Sequence, residues 1–286
     1  MSNQIRTNQD VMNMEMLKEG ISHRIHEFLV TKSEDGNPED LKNKMTEDFK
    51  IMLRMALREC GGGNTQAKNL IREFIRKILL DDYQIRSDAI DNLILFHDPA
   101  DLTVLDRFEI LLYQYRLKFG TDGLEKLLCR CNPRHHDHQG KEMFDIAAQD
   151  INALFFRESE QPDYLDKLGI LTQRIFEESL GCGCVDLLWD MRLSVLMAGA
   201  APGESKISVW VEIEDRTFRL SFLQMEAEEL EKICRRIIKS MKDESGRLKK
   251  ELPDHTSVTV KGPPTTEDWM FFIHRPDNFL LSLIHI

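Results

Sequence analysis

The chain has 286 residues, which corresponds to about two domains of ordinary size. Hydrophobic residues make up 42% and charged residues 30%, so we expect a folded core and exclude global disorder. The formal net charge is −11, which argues against nucleic acid and an anionic membrane leaflet as general partners. No apolar run approaches the ~20 residues of a membrane-spanning helix. Six cysteines are ordinary usage for a reducing compartment, so these features together predict a soluble, cytoplasmic protein.

The first 160 residues have the apolar spacing of amphipathic helices. Thr103, with Asp106 three residues later, predicts a capping box at the start of one of them, and Gly120 predicts its end. Asn132–Gly140 is polar and rich in histidine, which indicates a loop. The predicted helices in this part are Met12–Val30, Met45–Arg58, Ala67–Leu80 and Asp101–Gly120.

After about residue 160 the pattern becomes a mixture of helices and strands. Strict alternation of apolar and polar residues on both sides of a short turn, Glu214–Arg216, predicts a β-hairpin. We therefore predict an α+β fold, in which an all-helical domain (1–160) precedes a small antiparallel sheet domain with packed helices (161–280). The predicted helices are Tyr164–Leu180 and Glu226–Met241, and the predicted strands are Lys206–Glu214, Thr217–Phe222, Ser257–Val260 and Trp269–His274.

One glycine-rich segment, Gly61–Lys68, superficially resembles a phosphate-binding loop. A Walker A motif requires Gly-x-x-x-x-Gly-Lys-Ser/Thr between a strand and a helix. Here the segment follows a predicted helix and no glycine precedes Lys68. We interpret it as a connection between two helices, and no other stretch of the sequence matches Walker A.

Cysteines occur twice in a C-x-C pattern. Cys129 and Cys131, together with His135 and His138, are candidate zinc ligands. The common structural zinc sites use C-x₂-C spacing, so we interpret this region as a polar loop and predict no metal. A small zinc-stabilised regulator that uses these residues remains the alternative. Gly181–Cys184 lacks the C-x-x-C spacing of a redox dithiol and is interpreted as a turn.

Several segments, taken in chain order, resemble the N-terminal domain of bacterial secretion ATPases. This family drives type II and type IV secretion and the assembly of type IV or Tad pili, and the nearest resemblance is to the CpaF-type ATPase of Tad pili. Residues around 98–102 and 108–113 are similar to the helical leader of some Gram-positive members, so the resemblance covers most of residues 65–276. The segments that carry it are Leu171–Glu178, Gly181–Leu188, Val209–Glu212, Glu226–Met241, Leu252–His255, Val260–Pro264 and Trp269–Arg275.

The resemblance implies the N-terminal portion of a hexameric, bacterial ATPase that couples nucleotide turnover to pilin or protein export. ATP and Mg²⁺ would bind in the full-length parent, between this portion and a RecA-like domain that carries Walker A and Walker B. This chain contains neither motif, so we expect it to hold no cofactor and to be inactive alone. The implied partners are the RecA-like domain of the same parent chain, neighbouring subunits and an inner-membrane platform protein. These partners would hold the cytoplasmic protein at the inner face of the cell membrane.

The resemblance places Asp254, Lys261 and Arg275 near the nucleotide, and it assigns no catalytic residue to this chain. Two positions depart from the family pattern. Ser257 stands where members usually carry arginine, and His274 begins a His-Arg-Pro sequence where members have Arg-Lys-Phe. These departures favour an alternative from another class, a free-standing protein-interaction module without ATPase activity.

The last six residues, Leu281–Ile286, match the translation of the transposon-type adapter sequence CTGTCTCTTATACACATC. We expect this tail (281–286) to be non-native and the chain to be a gene fragment.

Overall fold

The computed structural model describes residues 12–31, 41–131, 133–138, 141–200, 207–241, 248–252 and 255–276. For residues 41–43, 134–138 and 141 only the backbone is described. The α-helices are α1 (Met14–Val30), α2 (Leu41–Glu59), α3 (Thr65–Asp81), α4 (Ser87–Leu93), α5 (Val104–Phe119), α6 (Gly123–Arg130), α7 (Ala148–Glu158), α8 (Tyr164–Ser179), α9 (Val185–Trp189) and α10 (Ala227–Ser240).

The strands form one sheet of eight, in the order β1-β2-β5-β4-β3-β8-β7-β6. All neighbouring pairs are antiparallel except β2 and β5, which are parallel. The α+β fold class is confirmed, and the sheet is mixed because a long crossover separates β2 from β5. The strands are β1 (Arg134–His138), β2 (Lys141–Ile146), β3 (Val195–Ala200), β4 (Ile207–Ile213), β5 (Arg216–Leu220), β6 (Leu248–Glu251), β7 (Ser257–Lys261) and β8 (Met270–His274).

The loop prediction for Asn132–Gly140 is wrong in part, because the backbone of Arg134–His138 pairs with β2. Strand β1 was missed because its sequence is polar. It lies at the edge of the sheet, where backbone pairing does not require alternating apolar residues. The first 160 residues are therefore not entirely helical. Strands β2, β3 and β6 were also not predicted, and β6 is a short edge strand with the sequence Leu-Lys-Lys-Glu.

The chain divides into two compact units, and each consists of two separate stretches of sequence. The first unit contains Met1–Leu102 and Gln161–Gly181, and the second contains Thr103–Glu160 and Cys182–Ile286. This division differs from the predicted boundary at residue 160. Helices α5–α7 belong with the sheet, and α8 belongs with the N-terminal helices.

The first unit is built from α1–α4 and α8. The apolar spacing of α3 is confirmed, since Ile71 and Ile75 are fully buried. Three aromatic rings, of Phe28, Phe49 and Phe74, pack together with centroids 4.9 to 5.9 Å apart. Ring pairs at this distance bury a large apolar area, so the cluster ties α1, α2 and α3 into one core.

The second unit contains the sheet with α5–α7, α9 and α10. The predicted capping box is confirmed: the hydroxyl oxygen of Thr103 accepts from the Asp106 backbone N–H, and the Asp106 carboxylate accepts from the Thr103 N–H. The β4–β5 hairpin is also confirmed. Its two turn residues, Glu214 and Asp215, have φ values of 49° and 63°, as a two-residue hairpin turn requires.

Candidate functional site: the open face of the sheet

The sheet has two faces of different character. Val258 and Val260 of β7 are buried, as are their register partners on β8, Ile273 and Phe271. Lys250, on the same face of β6, donates to the carbonyl of Met241 at the end of α10 at 3.2 Å. Helix α10 therefore lies over this face, which we call the covered face. The opposite side of strands β2–β8 is called the open face.

One row of side chains on the open face, which we call the central row, runs from β2 to β6. Because paired residues in adjacent strands point to the same side, the strand register places these residues next to one another. The row is polar at its two ends and apolar or aromatic in the middle. In order it contains Asp145, Arg219, Trp210, Met197, Phe272, Thr259 and Lys249.

The β2–β5–β4 part of this row is organised around one arginine. Arg219 donates to the Ser208 hydroxyl from Nε at 3.1 Å and from a terminal nitrogen at 2.8 Å. Its guanidinium carbon lies 5.3 Å from the Trp210 ring centroid, within cation–π range. In the row it is the register partner of Asp145, whose carboxylate accepts a hydrogen bond from the Ser221 hydroxyl. These contacts hold a cation and an aromatic face in a fixed arrangement.

The middle of the open face exposes apolar side chains. Met270 and Phe272 are 38% and 39% exposed. The His274 ring lies parallel to the Phe272 ring, with centroids 6.5 Å apart. Met197 and Phe272 are register partners on β3 and β8. An exposed aromatic and thioether patch with polar neighbours is typical of a surface that binds another protein.

Lys261 lies on the open face, at the end of β7 and opposite Met270. Arg275 lies just after the other end of β8, about 17 Å away at ~3.4 Å per residue. Asp254 is outside the described residues. The structure therefore does not bring Lys261 and Arg275 together into one nucleotide site.

Arg275 is held by the backbone of its own unit. Its guanidinium donates to the carbonyl oxygen of Met191 at 2.9 Å and to that of Trp189, the last residue of α9. Its backbone N–H donates to the carbonyl oxygen of Ser194 at 2.8 Å. A cation at a helix C-terminus is favourable, so Arg275 has a clear structural role.

The predicted connection at Gly61–Lys68 is confirmed. A short 3₁₀ turn, Cys60–Gly62, joins α2 to α3, and the Asn64 side chain caps α3 by accepting from the Ala67 N–H at 3.0 Å. Lys68 is fully buried. A phosphate-binding loop follows a strand and needs an accessible lysine. This segment follows a helix and its lysine is buried, so it is not such a loop.

The candidate zinc ligands are only partly described. Cys129 is exposed, and its sulfur accepts a hydrogen bond from Arg216 at 3.2 Å. Cys131 is buried, which raises the pKa of its thiol to about 12 and disfavours the thiolate that zinc requires. The side chains of His135 and His138 lie outside the described residues. Among the side chains that are described, no group of three or more His, Cys, Asp or Glu is placed to hold a metal.

The second C-x-C segment forms the predicted turn. Cys182 is buried, and its backbone N–H donates to the Asp186 carboxylate. Gly183 has a φ of 61°, in the left-handed region that glycine adopts without strain.

Trp210, Phe272 and Arg219 were not among the site residues predicted from the sequence. Strand β4 alternates apolar residues inward with Ser208, Trp210 and Glu212 outward. Trp210 stands at a position of the strand whose side chain points away from the core. That position could have indicated a binding surface, because a face in contact only with water is usually polar. The strand order that places Trp210 in a row with Phe272 is not readable from this alternation.

No family model matches the chain, and no curated protein matches it significantly. Within the part of the chain that the structure describes, no helix is both long enough and apolar enough to cross a membrane.

Proposed function

We propose that this chain is the non-catalytic N-terminal portion of a hexameric secretion or pilus-assembly ATPase, and that its open face docks on the RecA-like domain of the same parent. The proposal rests on the ordered sequence resemblance and on one structural observation. That observation is the exposed apolar patch of Met270 and Phe272 in the middle of a sheet face whose other side is covered.

The charge on the open face supports a nucleotide-bearing partner. Lys261 lies beside Met270, and Lys249 ends the central row, so two cations border the apolar patch. Lysine ammonium groups are common ligands of phosphate. In the parent, the RecA-like domain would supply the Walker motifs, ATP and Mg²⁺. This chain would contribute the apolar contact and a lysine near the docked surface, and it would transmit the motion of turnover to pilin or protein export.

The proposal can be tested with the protein extended to its natural stop codon. Phe272→Asp puts a carboxylate into the apolar patch, where burial in an interface is costly. We expect the ATP turnover of the assembled protein to fall at least about tenfold, the size of a typical hot-spot loss. The matched control is Leu117→Asp, because Leu117 is 65% exposed and lies on α5, which is not part of the open face.

The control should keep turnover within about twofold of the unchanged protein, as expected for an exposed site without a partner. Equal turnover in the two variants would contradict docking through the open face. Thermal unfolding of both variants separates a docking defect from a folding defect, since Phe272 is not part of the core.

A free-standing protein-interaction module is the second candidate. Two observations favour it. Arg275 is held by backbone carbonyls, and His274 lies against Phe272, so neither is directed to a shared phosphate site with Lys261. In that case the open face would bind a separate protein. Unchanged affinity for nucleotide in the Phe272→Asp variant, together with loss of a co-purifying protein, would support this candidate over the motor.

A further inference from the structure

A stripe of basic residues runs along the exposed side of α10. Lys232, Arg235, Arg236 and Lys239 are spaced i, i+3, i+4 and i+7, which places all four within an arc of about 100° on the helix. Lys232, Arg235 and Lys239 are exposed, and Arg236 is half-exposed. We call these four residues the basic stripe. Its charge is opposite to the chain's net charge of −11.

The stripe is separate from the open face, because α10 packs on the covered face with the opposite side of the helix. The buried side of α10 consists of Leu230, Ile233, Cys234, Ile237 and Ile238. A ligand of the basic stripe would therefore bind without displacing a partner from the open face.

Arg235 is fixed in place by its neighbours. Its guanidinium carbon lies 5.0 Å from the Trp269 ring centroid, and its Nε donates to the Glu231 carboxylate at 2.7 Å. The Trp269 ring in turn packs on Gly262, where an added Cβ would lie 2.4 Å from a ring atom. The side chain of Arg235 is still 64% exposed. A preorganised guanidinium loses little entropy when it binds a carboxylate.

The dimensions of the stripe fit a single peptide. Lys232 and Lys239 are separated by about 10 Å along the helix, at 1.5 Å per residue. An extended chain covers that distance with about three residues at ~3.3 Å each. Exposed acidic residues border the stripe, Glu228 at the start of α10 and Glu267 and Asp268 beside Trp269. A broad anionic surface, such as a bilayer or duplex DNA, would contact these carboxylates as well, whereas a narrow chain follows the stripe alone.

We propose that the basic stripe binds a short acidic peptide segment of a partner protein. Two or three carboxylates of that segment pair with the lysines and with Arg235. Since such contacts are exposed, the interaction depends on salt and is specified by charge more than by apolar area. The inference does not depend on the proposed ATPase parent.

The test is fluorescence anisotropy with the whole 286-residue chain and a labelled eight-residue peptide of alternating Glu and Ser. The variant Lys232→Glu with Lys239→Glu reverses two charges of the stripe. We expect it to bind the peptide at least about tenfold more weakly than the unchanged chain at low salt. The matched control is Lys44→Glu with Arg58→Glu, which makes the same charge change on exposed residues of α2.

The control variant should stay within about twofold of the unchanged chain, because Lys44 and Arg58 lie on α2 and are not part of the basic stripe. Lys232→Gln with Lys239→Gln is measured in parallel, and an intermediate loss is expected from it. Equal weakening by the stripe and control variants would overturn the proposal, and so would no binding by the unchanged chain. Tighter binding to phosphatidylserine vesicles or to single-stranded DNA than to the peptide would overturn the choice of partner.

Discussion

The two faces of the sheet differ most clearly at neighbouring residues of β8. Phe271 is 2% exposed on the covered face, and Phe272 is 39% exposed on the open face. The residue type, the strand and the backbone conformation are the same. The difference arises because α10 covers one side of the sheet and the strand alternates its side chains between the two. Whether a phenylalanine of this strand is buried or exposed therefore depends on which face of the sheet its side chain points to. A binding function is expected for the one on the exposed face.

The largest expected loss of stability comes from a substitution on the covered face. Phe271→Ala removes a fully packed ring and leaves a cavity, so the free energy of unfolding should fall by about 3–5 kcal/mol. Phe272→Ala removes a ring that is already in partial contact with water and should cost less than about 1 kcal/mol. Urea unfolding of both variants measures the difference. Similar losses would mean that the open face is packed as tightly as the covered one.

A second comparison sets Arg275 against Lys261, at opposite ends of the β7–β8 pair. Arg275→Ala leaves the carbonyls of Met191 and Trp189 without a charged donor, and we expect a loss of about 1–3 kcal/mol in the free energy of unfolding. Lys261→Ala should change it by less than about 0.5 kcal/mol, because within the described part of the chain the lysine side chain makes no hydrogen bond or ion pair. Chemical denaturation distinguishes these outcomes. If Arg275→Ala leaves the free energy of unfolding unchanged, Arg275 has no structural role and is again a candidate ligand-binding residue.

A smaller effect concerns Cys234, on the buried side of α10. Burial raises the pKa of this thiol to about 12, above the ordinary value of free cysteine. The folded protein then holds the proton more tightly than the unfolded chain, so the stability from this site is fully present below pH ~9 and is lost as the pH rises towards 12. Between pH 8 and 10, Cys234→Ala should lose about 1 kcal/mol less stability than the unchanged protein.

Urea unfolding at several pH values measures this slope. If the free energy of unfolding depends on pH in the same way in both proteins, Cys234 is not buried between α10 and the sheet.

Local signals in the sequence predicted much of the fold. The Thr103–Asp106 capping box, the Glu214–Arg216 turn and the apolar side of α10 depend on neighbours within a few residues, and all three are present. Strand β1 was missed because an edge strand can form through backbone pairing between polar residues. The parallel β2–β5 contact joins residues more than 70 positions apart, which no local pattern encodes.

The candidate site was predictable only in part. Lys261 was chosen from the family resemblance and does lie on the open face. Arg275 was chosen for the same reason, but its guanidinium is occupied by carbonyls from a different segment of the chain. Trp210 and Phe272 lie in the same row of the open face because β3 pairs with both of their strands. That strand order is a property of the whole sheet.

The most direct test of the proposed function is a long sequencing read through the source locus past the codon for Leu280. The motor account predicts that the reading frame continues into a strand followed by Gly-x-x-x-x-Gly-Lys-Ser/Thr. It also predicts that Leu281–Ile286 are replaced by other residues. A genuine stop codon at this point, or a continued frame without a Walker A motif, would contradict the account and leave the free-standing interaction module in its place.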